Sequence, residues 1–138
     1  MFSFYPLYLV LLGSGFVLFC ANAEQNKVKE IVESMEGDLA IIRDNCLKEN
    51  SLTIDDLKLY EDPEQAPENQ ACFIRCVYKQ SEIIGPDGEM DVDALAILPG
   101  VDKSKLGAVK KCMEKFGKIV TCGDVKKAAN CVHLATAN

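Results

Sequence analysis

The chain is 138 residues long, with a formal net charge of −6, seven cysteines, one histidine and no tryptophan. Such a length argues for one domain. The acidic balance argues against the clustered Lys and Arg that nucleic-acid phosphates or anionic lipid surfaces require. A lone His133 leaves His-centred catalysis and His-based metal sites almost no material.

Residues 1–23 differ from the rest. Met1 to Ala23 carries no charged side chain, and Phe4 to Cys20 is almost wholly apolar. Ala21-Asn22-Ala23 then flanks a polar residue with small ones, directly before Glu24. This reads as a secretory signal peptide cleaved after Ala23, with the free amino terminus supplying the positive charge that the leader lacks. As a retained membrane anchor the run is short and is broken by Pro6, Gly13, Ser14 and Gly15. Cleavage removes Cys20 and leaves six cysteines, an even set that reads as three disulfides in a secreted chain. Counting alone leaves their connectivity open. Without a His pair or two Cys-x-x-Cys knuckles, metal binding is the weaker reading.

In the mature chain, Val28, Ile31, Val32, Met35, Leu39, Ile42 and Cys46 recur at intervals of three and four. That stripe predicts a helix from about Asn26 to Lys48, bent or split at Gly37. Thr53 with Asp56 resembles an N-terminal cap before a short helix at Leu57. A polar, proline-punctuated loop follows from Glu61 to Pro67, where Pro67 suits the first position of the next helix. This central helix should carry Cys72, Phe73, Cys76 and Val77 and run to about Ile84. Cys72 and Cys76 then lie one turn apart on one face, where they can tie two different neighbours to the same rod. Gly85-Pro86-Asp87-Gly88 is a turn signal. Asp91 can cap a short helix from Val92 to Leu98, ended by Pro99-Gly100. Asp102 can cap another, with the stripe Leu106, Val109, Met113 and Phe116, and Gly117 weakening its end. Ile119-Val120 is β-prone but too short to suggest a sheet. Gly123-Asp124 opens a last helix through Val125, Ala128, Ala129 and Val132. The expected fold class is all-α, with about six helices.

Catalytic chemistry finds little support. Ser34, Ser51, Ser81, Ser104 and Thr121 lack a Gly-x-Ser-x-Gly setting, and the paired carboxylates fall where caps and turns want them. Asp87, Glu89, Asp91 and Asp93 lack the EF-hand loop pattern, so a solvated turn is expected there. No cofactor and no metal are expected, and the chain reads as a non-enzyme. Three disulfides closing loops of this size contribute roughly 3–4 kcal/mol each in the chain-entropy model. That surplus permits a hollow interior, which costs about 24 cal/mol per Å³.

The gaps between successive cysteines are 25, 3, 35, 9 and 8 residues. This series resembles the six-cysteine pattern of the insect odorant-binding and pheromone-binding protein family, whose most characteristic marks are the gaps of three and eight. The gap of 35 lies at or just below the family's usual range. The resemblance implies a helical fold around an apolar cavity with three interlocked disulfides, Cys46–Cys76, Cys72–Cys122 and Cys112–Cys131. It also implies a secreted, extracellular carrier of small hydrophobic ligands such as odorants or pheromones, without nucleic-acid binding or membrane anchoring. An odorant receptor and a homodimer stand as further partners. Wall candidates are Met35, Leu39, Ile42, Phe73, Val77, Leu95, Leu98, Leu106, Val109, Met113 and Phe116, with the two methionines suited to an adaptable surface. For each of them ordinary core packing is the competing role. His133, close to the C terminus, is expected to be solvated or capping, with a pH-sensing role as the alternative. The rival to a carrier is a secreted, disulfide-stabilised interaction or defence protein with a solid core.

Overall fold

The computed structural model describes residues 28–58, 60 and 62–136. The expected signal peptide lies outside them. The first long stripe is split where Gly37 stands: residues 28–33 are helical (α1), and the chain restarts as α2, Asp38–Glu49. Gly37 has φ 60° and ψ −131°, a backbone region that side-chain-bearing residues avoid. The break lets Arg43 on α2 reach back, its guanidinium donating to the carbonyl of Val32 in α1 (3.1 Å) and to that of Met35 in the break (3.4 Å). Carbonyls at the end of a helix need such partners.

Thr53 and Asp56 form the expected cap, although around a single 3₁₀ turn, Ile54–Asp56. The Asp56 carboxylate accepts from the Thr53 amide (2.8 Å) and hydroxyl (3.1 Å). Lys29 of α1 pairs with the neighbouring Asp55 at 2.6 Å, fastening the turn to the first helix. A second 3₁₀ turn, Pro63–Gln65, precedes α3, Glu68–Gln80. Gln70 is the buried polar residue of this helix. Its carboxamide donates to the Lys58 carbonyl (2.7 Å) and accepts from the Lys58 amide (3.2 Å), holding the loop along α3.

Helix α3 ends four residues before the expected Ile84. Glu82 takes a left-handed conformation (φ 62°), and the amides of Ile83 and Ile84 both turn onto the Tyr78 carbonyl, at 2.8 and 3.0 Å. Ile83 and Ile84 are thereby buried in the core, so burial of two isoleucines overrides continuation of the helix. The turn at Gly85–Gly88 closes as expected, with the Gly88 amide on the Gly85 carbonyl (3.0 Å). Ile84 and Met90 form an isolated antiparallel bridge across it. Gly88, at φ 85°, lies so close to the Ile119 backbone that an added Cβ would come within 3.2 Å of the Ile119 carbonyl oxygen. The Ile119 amide donates to the Gly88 carbonyl (2.8 Å), and this contact buries Ile119, which pattern alone left ambiguous.

Asp91 caps the apolar segment Val92–Ile97, which is a 3₁₀ helix. Asp102 caps the turn Lys103–Lys105 through the Ser104 amide and hydroxyl, and α4 follows as Leu106–Met113. The last helix, α5, is Cys122–Thr136. Its start is held by Asp124, whose carboxylate accepts from the amides of Val120 and Thr121, both at 2.9 Å. Near its end, the Ala135 carbonyl accepts from the Asp102 amide at 2.8 Å, joining the finish of α5 to the approach of α4. Among the described residues the fold is all-α with one β-bridge.

The Asp124 cap has a pH signature. Hydrogen bonds from the Thr121 and Val120 amides hold its carboxyl below the ordinary value of 3.8. A carboxyl lowered in this way adds stability that is complete above its unfolded value and fades as pH falls through the folded one. Asp124→Ala should therefore lower the melting temperature by a few degrees near neutral pH. The difference from wild type should shrink below about pH 3, as followed by circular dichroism.

Candidate functional site

Three disulfides join the helices in series. Cys46 of α2 is bonded to Cys76 of α3, Cys72 of α3 to Cys122 of α5, and Cys112 of α4 to Cys131 of α5. The paired Cα atoms are 5.7, 4.8 and 5.5 Å apart. The sequence spans they close, 30, 50 and 19 residues, overlap one after another, so the bridges interlock. The same helix pairs, α2 with α3, α3 with α5 and α4 with α5, form the main packing contacts.

These contacts enclose one apolar cluster. Met35, in the α1–α2 break, is buried in it, as are Phe73 and Val77 of α3, Leu95 and Leu98 of the 3₁₀ segment, and Leu106, Val109 and Met113 of α4. Leu39 and Ile42 of α2 pack against the cluster from a partly buried position. Phe116 is placed apart, at 37% exposure. Helix α4 stops at Met113, and a turn in which the Phe116 amide bonds to the Met113 carbonyl (3.0 Å) carries the ring out of the stripe. Gly117 follows directly, as a residue that disfavours helix continuation should.

Phe116 and Met113 instead border an open groove of about 630 Å³ together with Met90 and Val92. Its rim carries Glu89, Asp91, Lys110, Glu114 and Lys118. Lys110 is already engaged by Asp93 (2.8 Å), an ion pair joining α4 to the 3₁₀ segment. The remaining candidate residues belong to the interior.

Pattern reading omitted several members of the same cluster, including Leu57, Ile83, Ile84 and Ile119. Leu57 follows a capped turn and Ile83 a helix end, so neither belongs to a helical stripe. Ile119 stands in a four-residue connection. Their signal is hydrophobicity beside a turn residue, which carries no periodicity.

The polar groups of the site region fall into two sets. Most are used by backbone: Asp87 accepts from the Glu89 amide (3.1 Å) and Asp91 from the Ala94 amide (3.4 Å). Among the described residues, no three His, Cys, Asp or Glu side chains are grouped to hold a metal. His133 is exposed on the last turns of α5. The second set lies on α3. The buried Nε of Arg75 has no hydrogen-bond partner, and burial pushes the Tyr78 phenol up to about 12.

The arrangement is that of a small disulfide-stapled helical protein whose interior is almost entirely apolar. The chain matches the PBP/GOBP family over residues 28–135 and belongs to it, the insect odorant- and pheromone-binding protein family. Members of this family are binding proteins for small hydrophobic ligands. No curated protein and no solved structure matches the chain. No helix among the described residues is long and apolar enough to cross a membrane.

The division between interior and surface candidates is measurable. Leu95 has no exposure, so Leu95→Ala should destabilise the fold by about 2–5 kcal/mol. Phe116→Ala, at a partly solvated position, should change stability by roughly 0.5 kcal/mol or less. Urea unfolding of both variants makes the comparison.

Proposed function

We propose that this protein is a secreted, soluble carrier that holds one small hydrophobic molecule, of the odorant or pheromone type, within its helical interior. The observation that carries this reading is the single apolar cluster fed by α1 to α5, in a chain of a family of hydrophobic-ligand binders. We assign the wall to Met35, Leu39, Ile42, Phe73, Val77, Leu95, Leu98, Leu106, Val109 and Met113, with Phe116 at its outer edge.

The chemistry required is desolvation, not reaction. Each methylene removed from water contributes about 0.8 kcal/mol, so about ten of them reach the roughly 8 kcal/mol of a micromolar complex. No charged contact is needed at that level. The side chains best suited to admit different ligand shapes are the unbranched Met35 and Met113, which change rotamer at little cost. The disulfide series supports the role as well. By constraining the unfolded chain it supplies stability that a hollow interior would draw on, where an unstapled domain of this size has little to spare.

Two measurements test the proposal. Val109→Trp and Met113→Trp should each weaken binding of N-phenyl-1-naphthylamine by about tenfold or more while leaving the helical circular dichroism unchanged. Probe affinity unaltered in both, or absent from the wild type, would favour a solid-cored interaction or defence protein. Mass spectrometry of the protein recovered from its natural fluid should show an N terminus at Glu24. A chain retaining Met1 would contradict secretion.

A further inference from the structure

Apart from Leu39 and Ile42, every interior wall candidate is at most 9% exposed, so a ligand reaches them only when some element moves. The bridges show which elements are tied. Helices α2, α3, α4 and α5 each carry a bonded cysteine, whereas α1 carries none. Helix α1 is joined to the bridged part of the chain through Gly37. At that residue φ is 60°, and nothing lies within 4 Å of where a Cβ would stand. The joint therefore sits in a conformation that suits glycine and has open space around it, as a hinge requires.

What α1 covers is the apolar cluster. Val32 near its end and Met35 just beyond it are buried there, and Val28 packs against it. Ile31 lies on Gly100, where an added Cβ would come within 3.0 Å of its Cγ1. Polar contacts fasten the helix down. Lys29 pairs with Asp55 at 2.6 Å, both side chains being exposed, so solvent weakens the bond and it releases readily. The Arg43 guanidinium holds the carbonyls of Val32 and Met35 from a more sheltered position. One other seam has a similar fastening, the Lys110–Asp93 pair between α4 and the 3₁₀ segment. That segment is fixed at its start by the Asp91 amide on the Ile83 carbonyl (2.8 Å), and bridged cysteines lie on both sides of it in the chain, at 76 and 112. Among the described residues α1 has bridged chain on one side alone.

We propose that α1 is a lid hinged at Gly37, that the ligand enters and leaves the interior beneath it, and that Lys29 and Arg43 set how often it opens. This rests on the carrier reading above and adds a route to it. Both residues act on the lid and not on the ligand, and so are positioning residues. Their bonds to Asp55 and to the Val32 and Met35 carbonyls are made when α1 is down, whether or not the interior is occupied. Loosening them therefore speeds entry and exit together, and leaves the affinity where it was.

The test is stopped-flow association and dissociation of N-phenyl-1-naphthylamine near neutral pH, on wild type, Lys29→Ala, Arg43→Ala and Lys110→Ala. Lys29→Ala should raise both rate constants about two- to fivefold, with Kd changed by less than about twofold. Arg43→Ala, which removes two charge-assisted bonds, should raise both about tenfold. Lys110→Ala should alter neither. Unchanged rates in Lys29→Ala would overturn the proposal. So would faster exchange in Lys110→Ala in place of Lys29→Ala, which would put the entrance between α4 and the 3₁₀ segment. A rise in the dissociation rate alone, with Kd weakened to match, would also overturn it, because α1 would then be wall and not lid. Lys29 and Lys110 are exposed enough to be replaced without unfolding, so their two variants decide the matter even if Arg43→Ala fails to fold. Absence of probe binding to the wild type defeats the carrier reading itself, whereas binding with unaltered exchange defeats only the lid.

Discussion

Everything in this fold hangs on the double anchorage of α3. One helix carries Cys72 and Cys76 a turn apart, and the two sulfurs are bonded in opposite directions along the chain, to Cys122 and to Cys46. The helix cannot rotate about its axis or slide without straining one bridge or the other. Its buried face, with Gln70, Ala71, Phe73 and Val77, is therefore presented to the interior at a set angle. The third bridge passes the constraint on, since α5, held by Cys122, in turn holds α4 through Cys131 and Cys112. Order is transmitted by covalent links where a larger protein would use buried area.

Short connections complete what the bridges begin. Asp91 and Asp102 stand just before a helical turn and Asp56 and Asp124 at the third position of one, each with the carboxylate on a backbone amide. These surface contacts supply direction more than energy: they settle where each apolar run enters the core. The Gly88–Ile119 approach does the same without a helix, letting backbone meet backbone where a side chain would interfere. Stapled helices and capped turns thus converge on a single apolar cluster.

Much of this was legible in the residues. Cysteine spacing pointed to the family, and three-and-four periodicity located the helices. The aspartates at 56, 91, 102 and 124 marked where turns begin. The ends of helices were harder to read, because tertiary burial decides them. Ile83 and Ile84 leave α3 to reach the core, and α4 releases Phe116 to the surface although the spacing kept it in the stripe. The wall of a binding site and the filling of a solid core draw on the same side chains, so composition alone does not separate them.

Gln70 shows how little sequence a backbone can require. Its carboxamide offers one donor and one acceptor in a single plane, and it meets the Lys58 peptide as a neighbouring strand would. Position 58 is recognised only through its main chain, so its side chain is free to vary without moving the loop. Position 70 has no such freedom. A glutamate would oppose the Lys58 carbonyl with a second acceptor, and a leucine would strand both peptide groups. The path of the loop is written in the residue that it touches, twelve positions away, and hardly at all in its own.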